Sequence, residues 1–172
     1  MDLSNELFTS PFLKMYEFNM KMLDYRMNKV LSMDVTGPLD KEKQAEYLMA
    51  FDSMLILFRS LFLEKKKGNY TCQNFYREIG LPEIAQEIDN LLDEPFEDGV
   101  SAKGNPLTIR YVLKFICDKF VCHQDSISYD EYGLCNAWMT KLKNPYFDKN
   151  LNYITNRLNN ILKIPIKGDS LE

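Results

Sequence analysis

Between Met49 and Leu63 apolar side chains occupy most of the circumference of what must be a helix, since their spacing never settles into the alternation of a strand. A segment like this is stable only when it is covered on most sides, so it belongs at the centre of a helical bundle or at a subunit contact. It falls short of the roughly 18 to 20 apolar residues that span a bilayer, and Arg59 interrupts it. The rest of the chain must therefore supply the elements that wrap it.

Those elements read as helices. Ser10-Pro11 is a cap followed by a proline at the first helical position, and Phe12, Met15, Tyr16, Phe18, Met22, Leu23, Met27, Val30 and Leu31 then recur at three and four until Gly37-Pro38. Asp40 caps the helix that carries the apolar segment, and Glu64-Lys65-Lys66-Lys67-Gly68 closes it as a solvated end. Thr71 caps a short helix stopping at Gly80, and Leu81-Pro82 opens another that lasts to about Leu92. Pro95 to Gly104 has no periodicity and reads as an exposed loop. Asn105-Pro106 opens a helix reaching about His123. Ser128 and Glu131 have capping-box spacing at the head of a helix bearing Cys135, Trp138, Met139 and Leu142, and a last helix from Leu151 ends before Pro165. No stretch alternates at period two over a strand length, so no sheet is expected. The fold class predicted is all-α, an up-and-down bundle of four long helices with two or three short ones, forming one domain over residues 1–166 with a flexible tail at 167–172.

Composition narrows the function. With 172 residues and 45% hydrophobic composition the chain can bury a core, and a net charge of -4 argues against clamping nucleic acid through a basic surface as a whole. Four cysteines without a CxxC pair, and no signal-peptide pattern, read as reduced thiols in a cytoplasmic protein. There is no phosphate-binding glycine loop, no GxSxG elbow and no HExxH, and a single histidine excludes sites built from two imidazoles of one chain. Cys117, Cys122, His123 and Asp125 are potential ligands, but Cys117 and Cys122 face different sides of a helix, so no metal site is expected, nor any cofactor.

The candidate site is the polar end of the helix that carries the only histidine. Lys119 and His123 lie four apart and share a face; Asp118 and Cys122 share the neighbouring one. Lys114 and Arg110 stand one and two turns before Asp118 and are its natural partners if the cluster serves the fold, in which case His123 bonds Asp125 or a carbonyl at the negative helix end. Trp138 and the tyrosines read as core by their spacing, with base stacking as the functional alternative.

The segment Asp118 to Asp125 resembles the signature helix of the HEPN (higher eukaryotes and prokaryotes nucleotide-binding) superfamily, small α-bundle proteins with an R-x4-6-H motif that in several branches reads R-[ND]-K-x-x-x-H-x-D. Asp118, Lys119, His123 and Asp125 match it residue by residue, and Cys117 stands where the arginine belongs. The resemblance covers about ten residues. It implies a homodimer in which two signature helices face one cleft, with His123, Asp118 and Lys119 in the catalytic positions and Asp125, Lys114 and Arg110 in supporting, binding ones. Any activity it implies is metal-independent ribonuclease chemistry, in which an imidazole moves the 2′-hydroxyl proton and arginine stabilises phosphorane charge. Without the motif arginine, the expectation is a degenerate member that binds RNA or nucleotide in a prokaryotic defence or toxin–antitoxin setting, with a protein partner such as an antitoxin and no membrane contact. The alternative is a non-enzymatic protein-interaction or self-association bundle.

Overall fold

A computed structural model describes residues 11–33, 40–64, 71–121 and 127–162. Ser10, Gly37-Pro38, Lys65 to Gly68, Cys122, His123, Asp125 and the tail at 167–172, all singled out from the sequence, lie outside the described residues. The chain is largely helical, with seven α-helices among those residues. It divides into two compact units, residues 1–58 and 59–172.

The first unit is a hairpin of α1 (Pro11–Ser32) and α2 (Lys41–Phe58). Asp40 caps α2 as its position predicts, accepting from the Lys43 amide at 2.8 Å. Arg26 donates to the Ser53 carbonyl at 2.7 Å and Lys29 pairs with Glu46 at 2.9 Å; partners that run in opposite directions along the two helices make them antiparallel. Tyr16, Leu23, Met27 and Val30 are buried on α1, and Tyr47, Phe51, Met54, Leu55 and Phe58 on α2. Both sets recur at three and four, which is the stripe a helix must hide. The apolar circumference of α2 is not wholly covered, however, because Met49 is 72% and Ile56 51% exposed.

The second unit begins with a five-residue π-helical turn, Arg59–Leu63, where the apolar pattern predicts one continuous α-helix. Thr71 caps α3 (Cys72–Glu78) through the Asn74 amide, and Gly80 leaves that helix with φ +81°, a conformation open to glycine. Next comes α4 (Pro82–Leu92), with its proline in the first turn. The expected absence of any strand does not hold: β1 (Pro95–Val100) and β2 (Pro106–Thr108) pair antiparallel, Pro95 opposite Thr108 and Val100 opposite Pro106, with an irregular register between. The pair is too short and too exposed to show alternation, and it is held by backbone bonds, including a turn in which Ser101 donates to the Asn105 carbonyl at 2.8 Å.

Pro106 consequently belongs to a strand and does not open a helix. Helix α5 (Ile109–Ile116) starts three residues later, where the Thr108 hydroxyl can accept from the Tyr111 amide at 3.2 Å, a role proline lacks the group to play. It passes into a second π-helical turn, Cys117–Val121. The extra residue in a π turn rotates the positions beyond it relative to an uninterrupted α-helix. Helix α6 (Tyr129–Lys143) opens with the predicted capping box, both halves formed between Ser128 and Glu131, and α7 (Leu151–Leu162) completes the described chain. Helix α4 packs on α3 and α7, and α5 on α6 and on the first π turn. Ile88, Leu91, Val112, Ile116 and Trp138 are among the side chains sealed between them. No helix among the described residues is long and apolar enough to cross a membrane.

Candidate functional site

Helix α5 and its π turn form one wall of a groove of about 860 Å3. The β1–β2 turn supplies the second wall through Val100, Lys103 and Leu107, and the start of α6 the third through Asp130, Glu131, Leu134 and Trp138. Of the residues singled out from sequence, Arg110, Lys114, Asp118 and Lys119 all line this groove. Cys122, His123 and Asp125 of the same cluster fall outside the described residues.

Each of the four has a partner that local spacing did not indicate. Arg110 is buried, and its guanidinium donates to Asp93 and Asp89 at 2.7 Å each and to the Phe62 carbonyl at 3.1 Å. The same carbonyl and Asp89 also accept from the buried Gln73 amide. Lys114 reaches Glu64 at 3.6 Å, and Lys119 pairs with Glu131 at 2.8 Å. Asp118 pairs with neither Lys114 nor Arg110. Its carboxylate is held by Arg59 from the first π turn, whose Nη1 also lies 4.0 Å from the Cys117 sulfur and whose Nε donates to Glu64 at 3.0 Å.

Two π turns therefore meet side by side, one bringing the guanidinium and the other the carboxylate. Burial works against the charge on Arg59, but its bonds to Glu64 and Cys117 and the charge of Asp118 outweigh it and raise the guanidinium pKa further. Burial likewise opposes ionisation of Glu64, and Arg59 and Lys114 reverse the balance to lower its pKa. Glu131 is lowered to about 2 by its bond to Lys119 and by the Ser128 amide. The cluster sets three cations against three carboxylates: Arg59, Lys114 and Lys119 facing Glu64, Asp118 and Glu131.

The back of the groove is aromatic. Tyr111 and Phe115, one turn apart on α5, have ring centroids 5.9 Å apart with planes 30° off parallel. Both meet Trp138 edge to face, at 6.3 and 5.4 Å. Trp138 is buried, as its spacing predicts, and its indole N–H donates to Glu97 at 2.7 Å; Lys141 binds the same carboxylate. Cys72, Cys117 and Cys135 are buried, and no group of potential metal ligands gathers among the described residues.

Sequence reasoning missed Arg59. The signal was present, since an arginine inside an otherwise apolar run must find an acceptor somewhere in the fold.

No family model matches the chain, and no curated protein or solved structure matches it either.

Proposed function

We propose that this protein binds RNA or a nucleotide at the Arg59–Asp118 junction, as a HEPN-like member in which Arg59 takes over the task of the missing motif arginine. The observation that supports this is the guanidinium beside Cys117, the residue at the motif's arginine position. A planar fork of donors suits a phosphodiester, which a lysine point charge does not match. In the resting protein Asp118 occupies that fork, so phosphate binding must displace a carboxylate. That makes the site a weak ribonuclease at best and favours binding over cleavage. The up-and-down bundle, the homodimer with two such helices at one cleft, the prokaryotic defence or toxin–antitoxin setting and an antitoxin-like protein partner belong to this same reading.

Fluorescence anisotropy with a short labelled RNA at two salt concentrations tests it. Arg59→Gln is expected to weaken binding by about tenfold or more, and Asp118→Asn, which removes the competing charge, to strengthen it. RNA affinity that is indifferent to both substitutions, with circular dichroism unchanged, overturns the reading.

A second reading has its own observation. Phe18 and Tyr25 on α1, and Met49 and Ile56 on α2, are exposed apolar residues spaced seven apart on each helix, which fits a self-association surface of a non-enzymatic bundle. Light scattering of Phe18→Glu and Ile56→Glu separates the two: loss of a dimer with RNA binding intact leaves both properties in place, whereas a dimer with no RNA binding leaves only this one.

A further inference from the structure

Resting on that reading and extending it to the ligand's own chemistry, we infer that the groove beside α5 takes the guanine of a nucleotide, stacked on Tyr111 and Phe115, with Asp130 reading the base edge and Lys103 holding the phosphate. A volume of about 860 Å3 lies within the range of small-molecule sites. The two half-buried rings, their planes 30° apart and each met edge to face by Trp138, offer a base an aromatic surface to stack on.

The charges lining the groove decide which base. Arg110, Lys114, Asp118, Lys119 and Glu131 are all engaged by partners in the fold. Lys103 and Asp130 are the two charged lining residues with no ion pair among the described residues, and both are exposed. A carboxylate is an acceptor only, and guanine alone offers it two adjacent donors, N1–H and the N2 amino group. Adenine and cytosine present an acceptor next to their donor, and uracil a single donor between two acceptors, so each would set a lone pair against Asp130. Orientation comes from the same charges. Of the lining cations, Lys103 on the β1–β2 turn is the one with no carboxylate partner among the described residues, so it is the one open to the phosphate.

Trp138 is the only tryptophan in the chain, so its emission reports on the groove directly. Titrating the full chain with GMP, AMP, CMP, UMP and guanosine should show GMP changing that emission with an affinity about tenfold tighter than AMP. Asp130→Asn should erase the preference for GMP, and Lys103→Ala should reduce GMP to the affinity of guanosine. Both side chains are exposed, and helicity checked by circular dichroism shows that the variants are folded. Equal affinity for all four nucleotides, or a preference that survives Asp130→Asn, overturns the inference. RNA binding that depends on Arg59 while GMP leaves Trp138 silent overturns it and spares the broader reading; silence of both assays overturns both. Emission that changes with protein concentration alone, as a dimer forms, gives the groove to a second copy and likewise overturns it.

Discussion

Helix α5 carries an ion cluster at each end, and the two differ in what they leave open. At its start, the Arg110 side chain is 9% exposed and bonded from Nε and both Nη atoms to Asp93, the Phe62 carbonyl and Asp89. Just past its other end, Arg59 and Asp118 are 27% and 34% exposed, and they pair across two π turns. Charge content is similar, but access is not. The first cluster ties the first π turn, α4 and α5 together, whereas the second is the one whose internal carboxylate a phosphate would displace in the proposed function. Charged residues on a groove are therefore sorted by the number and burial of their partners, and among the four predicted ones Arg110 is the buried one, with three bonds inside the fold.

The largest effect should come from breaking the sealed cluster. Arg110→Met removes the cation that faces both Asp89 and Asp93 and leaves the Phe62 carbonyl with Gln73 as its side-chain donor. Removing one partner of a fully buried pair typically costs about 3–5 kcal/mol; here Arg77 still pairs with Asp89 at 2.7 Å and Asp93 is exposed, so the loss should be about 2–3 kcal/mol. Urea denaturation of the variant checks this. A loss below about 1 kcal/mol, the value for surface pairs, would mean that the Arg110 cluster is open to water and that the contrast between the two ends is false.

A smaller stability effect with a larger functional one is expected at the other end. Arg59→Gln should cost about 1 kcal/mol, since the pair is partly hydrated and Glu64 keeps Lys114. Its effect on RNA affinity should nevertheless exceed that of Arg110→Met in whatever folded fraction the latter retains. If Arg59→Gln unfolds the chain as severely as Arg110→Met, both clusters are structural and the junction of the π turns has no spare capacity.

The same contrast explains what could be read from sequence. Features fixed by neighbours within four residues were legible: the Asp40 and Thr71 caps, Pro82 at a helix start and the Ser128–Glu131 box all rest on local geometry whose participants are spaced in the sequence. The β1–β2 pair was not, because a short exposed hairpin has no buried face to impose alternation. Nor were the π turns: around Arg59–Leu63 apolar residues occupy most of the circumference, so a change of phase there leaves no visible break in the pattern. Of the predicted site residues, Arg110, Lys114, Asp118 and Lys119 line one groove. Their partners are another matter: the carboxylates of Arg110 stand 17 and 21 positions away and the guanidinium of Asp118 59 positions away, separations that no periodicity encodes.

The smallest effect is a pH dependence at the open edge of the groove. Glu131 titrates at about 2 in the folded chain against an ordinary 4.5, held down by Lys119 and the Ser128 amide. A depressed carboxylate contributes stability that is complete above its unfolded value and is lost as pH falls through the folded one, so the contribution of Glu131 should fade between about 4.5 and 2. Glu64, Glu94 and Glu97 are lowered too, with burial opposing and their cationic or hydrogen-bonding partners prevailing, and they add to the same acid limb. Glu131→Gln isolates the one contribution: the amide oxygen can still accept from the Ser128 amide, which preserves the capping box, but it neither titrates nor pairs with Lys119. Denaturation curves collected between about pH 6 and pH 2 should show a shallower loss of stability in Glu131→Gln than in the parent chain, with the two converging at the acid end. Parallel curves across that window would mean that Lys119 and Glu131 are solvated separately, leaving Lys119 as a further uncommitted cation on the groove and shifting the phosphate position away from Lys103.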